Sequence, residues 1–238
     1  MKTRIGIVLG SGLHSFSDEI VSPGKIYEDS DSFHSIQVLK GKISNNEVVI
    51  FSGRRHFYEG YDNDNIFQNI NFAKDLGINL LILTNAAGGI NRRFRVSDIM
   101  LITSHYNFIK NRFTENVMTD YYDKTLNARI KNTALRNKMI LRTGSYCCLS
   151  GPMYETKSEI RYLAKYGIDA VGMSTVPEMI HAGNSGIKII ALSCITNLLS
   201  ENSTGITDHK EVVEAGKNSY QTFSSLIKNI VSDFSDKL

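Results

Sequence analysis

Residues 48–60 read VVIFSGRRHFYEG, and the way this stretch is taken decides the fold. Its first four residues are unbroken and apolar, as in a strand covered on both faces. The rest sets two arginines, a histidine, a tyrosine and a glutamate between glycines. Charged loop residues ordinarily face water. The alternative is that the strand delivers them to a cleft, where an arginine's rigid fork of donors can grip two oxygens of an anion. Alternate residues of an extended backbone share a side. This predicts Arg54, His56 and Tyr58 toward the cleft, with Phe57 on the opposite side and Arg55 there in solvent.

Working outward, similar runs recur at 4–10 (RIGIVLG), 35–43 (SIQVLKGKI), 79–85 (NLLILTN), 98–104 (DIMLITS), 146–151 (YCCLSG), 168–172 and 187–197 (IKIIALSCITN). Asn45-Asn46, between two of them, predicts a hairpin turn. Helical patterns lie between strands. One covers 65–76 and stops at Gly77. Another covers 156–166, opens with Thr156 and Glu159 at capping-box spacing, and stops at Gly167. A short helix is entered at Pro177. In the tail Asp208 and Glu211 repeat the capping spacing ahead of Val212, Ala215, Tyr220, Phe223, Ile227, Ile230 and Phe234. Strands alternating with helices, without a linker or repeat, predict one α/β domain over 1–238, with a mixed, mainly parallel central sheet flanked by helices.

With 42% hydrophobic residues the 238-residue chain can fill a core, which argues against disorder. The net charge of +3 comes from scattered basic residues, so no nucleic-acid footprint stands out. No run reaches membrane-spanning length. Lys2 and Arg4 ahead of residues 5–9 mimic a secretory leader, but the apolar run is too short and enters a glycine loop. Cys147, Cys148 and Cys194 form no CxxC. The adjacent pair would point to opposite faces of a strand, so all three are expected to pack as small hydrophobes. The expectation is a cytoplasmic protein with neither nucleic-acid nor membrane partner. The scattered Cys and His residues have no metal-ligand spacing.

In α/β sheets ligands gather beyond the carboxyl ends of strands. Here those ends read GSGLHS (10–15), GRRHFYEG, TNAAGG (84–89), SGPMYE (150–155), GMSTVPE (172–178) and TN (196–197). Gly10 and Gly12 fit the first two glycines of a dinucleotide fingerprint. Ser15 occupies the third position, and Pro23-Gly24 interrupts the required helix, so NAD is discounted. The loop remains a phosphate cradle, with the Ser11 hydroxyl as a donor. TNAAGG offers small residues for close approach, Asn85 opening the turn and the Ala86 amide available; Ser174 adds a hydroxyl. Each piece also has a plain structural reading. Tyr154 and Met173 fit a core, Asn85 and Asn197 fit turn caps, and Glu155 fits a first-turn acid.

Taken together the set resembles the trimeric purine nucleoside phosphorylases. The resemblance rests on GSGL (10–13), GRxHxYEG (53–60), TNAAGG (84–89), GPxYE (151–155), VGMSTVPE (171–178), ITN (195–197) and DHKEV (208–212), in family order along nearly the whole chain. It implies phosphorolysis of 6-oxopurine (deoxy)ribonucleosides such as inosine and guanosine in purine salvage. No metal or cofactor is implied; inorganic phosphate is a co-substrate. Phosphate would meet Ser11, Arg54, His56, the Ala86 backbone and Ser174. The ribose would meet Tyr58, Met173 and His209, the last near the 5′-hydroxyl. The purine would lie against Ala87 and Tyr154, its N1–H donating to Glu155 and its N7/O6 edge facing Asn197. Asn197, Glu155, His56 and His209 take the catalytic roles in this reading, and Asn85 belongs to the binding set.

The family further suggests a homotrimer, with Phe113 the candidate to reach a neighbouring site. Departures are His14 where glycine is common, Leu198 where lysine is common, and a short 107–122 segment. Two alternatives stay open. One is a methylthioadenosine phosphorylase, in which an aspartate stands at the Asn197 position. The other is a nucleoside-binding module without turnover. His14, His34, His105 and His181 are read as packing or surface residues.

Overall fold

The computed structural model describes residues 3–29, 35–109, 120–200 and 209–235, with 209–218 and 235 given by backbone alone. Among the described residues nine strands form one sheet: β1 (Ile5–Leu9), β2 (Val21–Asp29), β3 (Ile36–Ile43), β4 (Asn46–Ser52), β5 (Leu80–Gly89), β6 (Ile99–Asn107), β7 (Leu141–Cys148), β8 (Ala170–Gly172) and β9 (Lys188–Leu198). Their order is β2-β3-β4-β1-β5-β8-β7-β6-β9, and β9 pairs again with β5. The strands from β5 to β9 therefore close into a ring, and β1 to β4 extend from the first half of β5 as an open wall.

β4, β1, β5 and β9 are parallel neighbours, as are β6, β7 and β8. The two blocks meet antiparallel at β5–β8 and β6–β9. The sheet is thus mixed, and its parallel core brings the carboxyl ends of β4, β1, β5 and β9 to one rim.

Helices cover both faces: α1 (Asn63–Ile66), α2 (Gln68–Asp75), α3 (Lys124–Arg136), α4 (Lys157–Lys165), α5 (Val176–Asn184) and α6 (His209–Ser235). Val8, Leu81 and Leu83 pack with Ile70 and Ala73 of α2 and with Met179 and Ile180 of α5. Their alternates Ile7, Leu9, Leu80 and Ile82 pack with Ile130 of α3 and with Phe223, Ile227 and Ile230 of α6. This two-sided burial is why the strand sequences are continuously apolar. Each such side chain contributes roughly 1.5–3 kcal/mol on removal from water.

The capping box of Thr156 and Glu159 closes the start of α4 as predicted. Gly77 and Gly167 follow α2 and α4 in the left-handed conformation, with φ of +67° and +72°. The hairpin between β3 and β4 also forms, but Ser44 and Asn45 occupy its centre, with φ of 48° and 66°. Two other expectations are corrected. The 65–76 pattern breaks at Phe67, which is buried and stacks on His181 at 4.3 Å, so packing outweighs local propensity. TNAAGG is not a turn, because β5 continues through Gly89. No helix runs through Pro23-Gly24, as expected; that segment forms β2, an exposed edge strand, where proline is tolerated. Helix α3 is an element beyond the sequence expectations, and Asp123 caps it by accepting from the Leu126 amide. The tail's Asp208 lies outside the described residues, as does the side chain of Glu211. No described helix is long and apolar enough to cross a membrane.

Candidate active site

The rim of the parallel strands is drawn tight by glycines. A Cβ on Gly10 would lie 2.6 Å from the Asn85 Cα, so the loop after β1 rests directly on the β5 backbone. The Gly10 amide donates to Thr84 Oγ1 at 2.9 Å, and that hydroxyl donates to the Val8 carbonyl at 2.8 Å. Ser11 is thereby set beside residues 85–88 of β5. Gly151, with φ of +67°, fits where a Cβ would lie 2.5 Å from Met173 Sδ and 2.9 Å from Tyr58 Cδ1.

The stretch after β4 turns into the cleft. Arg54 is 6% exposed. Its Nη1 donates to the Thr84 carbonyl at 2.9 Å and to Ser174 Oγ at 3.1 Å. Its Nη2 lies 3.1 Å from Oε2 of Glu178, also buried. Burial pushes the Glu178 carboxyl up, and the Arg54 charge partly opposes that. Arg54 Nε is buried without an acceptor among the described residues. Such an unmet donor is costly unless a ligand supplies the acceptor.

His56 is held by Glu59. Its amide donates to Glu59 Oε2 at 3.0 Å, and Nδ1 is 3.3 Å from Oε1. Its ring stacks on Tyr58 at 4.9 Å. Burial, then the Glu59 charge, pushes the Tyr58 phenol up to about 12, so it remains a neutral hydroxyl at neutral pH.

Arg55 is not solvated, contrary to the alternation argument. It pairs with Asp29 of β2, hydrogen-bonds Asn65 and Gln68, and lies 4.9 Å over the Tyr61 ring. Pointing away from the cleft puts it into the junction of β2 with α1 and α2. Alternation gave the side correctly and missed what waits there.

The remaining cleft residues come from the ring strands. Tyr154 and Glu155 follow β7, and burial raises the Glu155 carboxyl above its ordinary value. Asn197 sits near the end of β9 opposite Gly88. Thr196 Oγ1 donates to Asn197 Oδ1 at 3.2 Å, which turns the amide's NH₂ side the other way. Asn85 is a buried strand residue rather than a turn opener; its Nδ2 donates to Thr175 Oγ1 at 2.9 Å.

One cleft is lined by Ser11, Arg54, His56, Tyr58, Asn85, Ala86, Ala87, Tyr154, Glu155, Met173, Ser174 and Asn197, residues that span most of the chain. Gly88, Val171, Gly172 and Thr196 join them without having been singled out. Thr175 and Glu178, which support the cleft from within, had also been passed over. Phe113 and the His209 side chain lie outside what is described. Leu198 is 46% exposed and does not line the cleft.

Known proteins match this chain along nearly its whole length. The family model of the phosphorylase superfamily matches residues 4–232. Purine nucleoside phosphorylase 1 of Bacillus subtilis (strain 168) is 38% identical, with 97% of this chain and 92% of that protein aligned. Among solved structures, Schistosoma mansoni purine nucleoside phosphorylase in complex with inosine is 30% identical. It superposes with a TM-score of 0.88, covering 96% of this chain and 89% of that one. The same enzyme in complex with adenosine gives a TM-score of 0.89 at 30% identity, covering 96% and 90%.

Proposed function

The chain belongs to the phosphorylase superfamily, among its purine nucleoside phosphorylases, and from that premise we propose that it phosphorolyses 6-oxopurine nucleosides reversibly, giving free base and (deoxy)ribose 1-phosphate. The observation that carries this reading is one cleft containing both Arg54 with His56 and Glu155 with Asn197. Phosphate would be held by Arg54, His56, Ser174, Ser11 and the Ala86 amide. Catalysis would come from placement and fixed donors, without a covalent step on the protein. As the glycosidic bond breaks, its electrons move onto the purine. An Asn197 N–H aimed at N7 would stabilise that charge, while ionised Glu155 accepts from N1–H. Tyr58, Met173 and His209 are proposed for the ribose. No cofactor or metal enters this scheme.

Glu155 also sets the choice of base. An ionised carboxylate only accepts, which suits the N1–H of hypoxanthine or guanine and leaves the bare N1 of adenine unmatched. A site built around such a bond discriminates strongly against the analogue that lacks it. Inosine is therefore expected to exceed adenosine and methylthioadenosine by ~10²-fold or more in kcat/KM at neutral pH. Burial raises the Glu155 pKa. As pH falls through that raised value the carboxyl gains a proton, becomes a donor toward a bare N1, and the inosine advantage should shrink. Parallel kinetics for the three nucleosides across acid and neutral pH check both points. A higher kcat/KM for methylthioadenosine at neutral pH would reject the 6-oxopurine assignment.

A further inference from the structure

Beneath Ser174 the backbone takes an unusual path. Thr175 has φ of 77° and ψ of −50°, and the Val176 amide donates to the Ser174 carbonyl at 2.9 Å. That is a classic γ-turn, a rare and strained conformation, here centred on a β-branched residue. Such strain persists only where the surroundings enforce it.

The surroundings are specific. The Ser174 carbonyl accepts not only from Val176 but also from the Tyr146 hydroxyl at 3.2 Å and the Cys148 thiol at 3.4 Å. Both side chains come from β7 and are fully buried. Burial raises both groups well above their ordinary range, so each keeps its proton and acts as a donor. Asn85 grips the other side of the turn through Thr175 Oγ1. Directly above, Ser174 Oγ sits 3.1 Å from Arg54 Nη1 and lines the cleft.

We infer that Tyr146 and Cys148 are positioning residues: their two donors hold the Ser174 carbonyl down, fix the γ-turn at Thr175, and so aim the Ser174 hydroxyl at the phosphate. Neither side chain lines the cleft, so neither is a catalytic residue. The inference rests on the proposed phosphate role of Arg54 and Ser174. A plainer reading is that Tyr146 and Cys148 merely satisfy their own polar atoms in the core. That reading predicts a change in melting temperature without a selective change in phosphate use.

The test is steady-state kinetics of the full-length protein with inosine and inorganic phosphate varied independently. Wild type comes first: if turnover does not depend on phosphate, the underlying reading fails before the inference is reached. Given phosphate dependence, Tyr146→Phe should raise the KM for phosphate about 5- to 10-fold, the range for one lost hydrogen bond. The KM for inosine should change less than about 2-fold. Cys148→Ala should move the phosphate KM in the same direction, and Cys148→Ser, which keeps a donor, should return it toward wild type. The cysteine pair decides the matter if Tyr146→Phe does not fold. An unchanged phosphate KM in folded Tyr146→Phe, or equal values for Cys148→Ser and Cys148→Ala, would overturn the inference.

Discussion

Arg54→Met is expected to raise the KM for phosphate by ~10²-fold or more and to lower the melting temperature as well. The first effect follows from losing a guanidinium that already has its Nη1 on Ser174 and an unmet buried Nε. Hydrogen bonds to charged groups contribute about 1.5–3 kcal/mol each, and a phosphate oxyanion takes more than one from an arginine fork. The second effect follows from Glu178, left buried without its cation. Breaking a buried pair from one side costs about 3–5 kcal/mol, less where the stranded acid can take up a proton. Burial already favours that proton on Glu178.

The two effects separate in a second variant. Arg54→Met with Glu178→Leu removes both charges and should recover most of the lost stability while leaving phosphate use impaired. Thermal melts together with phosphate titrations of both variants provide the check. If phosphate use returns with stability in the double variant, Arg54 is a structural residue and the phosphate assignment is wrong.

Asn197→Ala should lower kcat for inosine by ~10²-fold with a much smaller change in KM, the pattern for a donor that matters chiefly in the transition state. The structural cost should be small, because Asn197 lies at the end of β9 and Thr196 can keep its own bond to the Ala87 carbonyl. Asn197→Asp replaces the NH₂ by an acceptor and should shift preference toward 6-aminopurines. Single-turnover rates with inosine and adenosine for both variants read this out. Unchanged inosine turnover in Asn197→Ala would remove the residue from the mechanism.

Much of the cleft was legible because period-two alternation and loop chemistry are local properties. Arg54 and His56 fall on one side of the short extended stretch after β4, a geometry that needs no knowledge of the rest of the fold. Tyr58, by contrast, reaches the same cleft from a single helical turn, Phe57–Glu59, where alternation does not apply. What escaped depends on distant partners. Arg55 looked solvated because nothing nearby in sequence announces Asp29, Asn65 and Gln68 as its neighbours. Asn85 read as a turn opener because TNAAGG has turn composition; pairing with β9 keeps it extended. The break at Phe67 is likewise a tertiary choice. Helix α3 was available in principle, since Asp123 is a good N-cap and Leu126, Ile130 and Ala134 recur every fourth residue. The γ-turn at Thr175 carries no composition signal, because a threonine at positive φ is held there by β7 rather than by its own preference.

Whether bond cleavage needs an inorganic oxyanion in the cleft is measured by incubating the protein with inosine, with and without added phosphate, and identifying the sugar product. Hypoxanthine release that rises from background with phosphate concentration, with ribose 1-phosphate formed in equal amount, is the predicted result. Equal hypoxanthine release in phosphate-free buffer, accompanied by free ribose, would contradict it and make water the nucleophile.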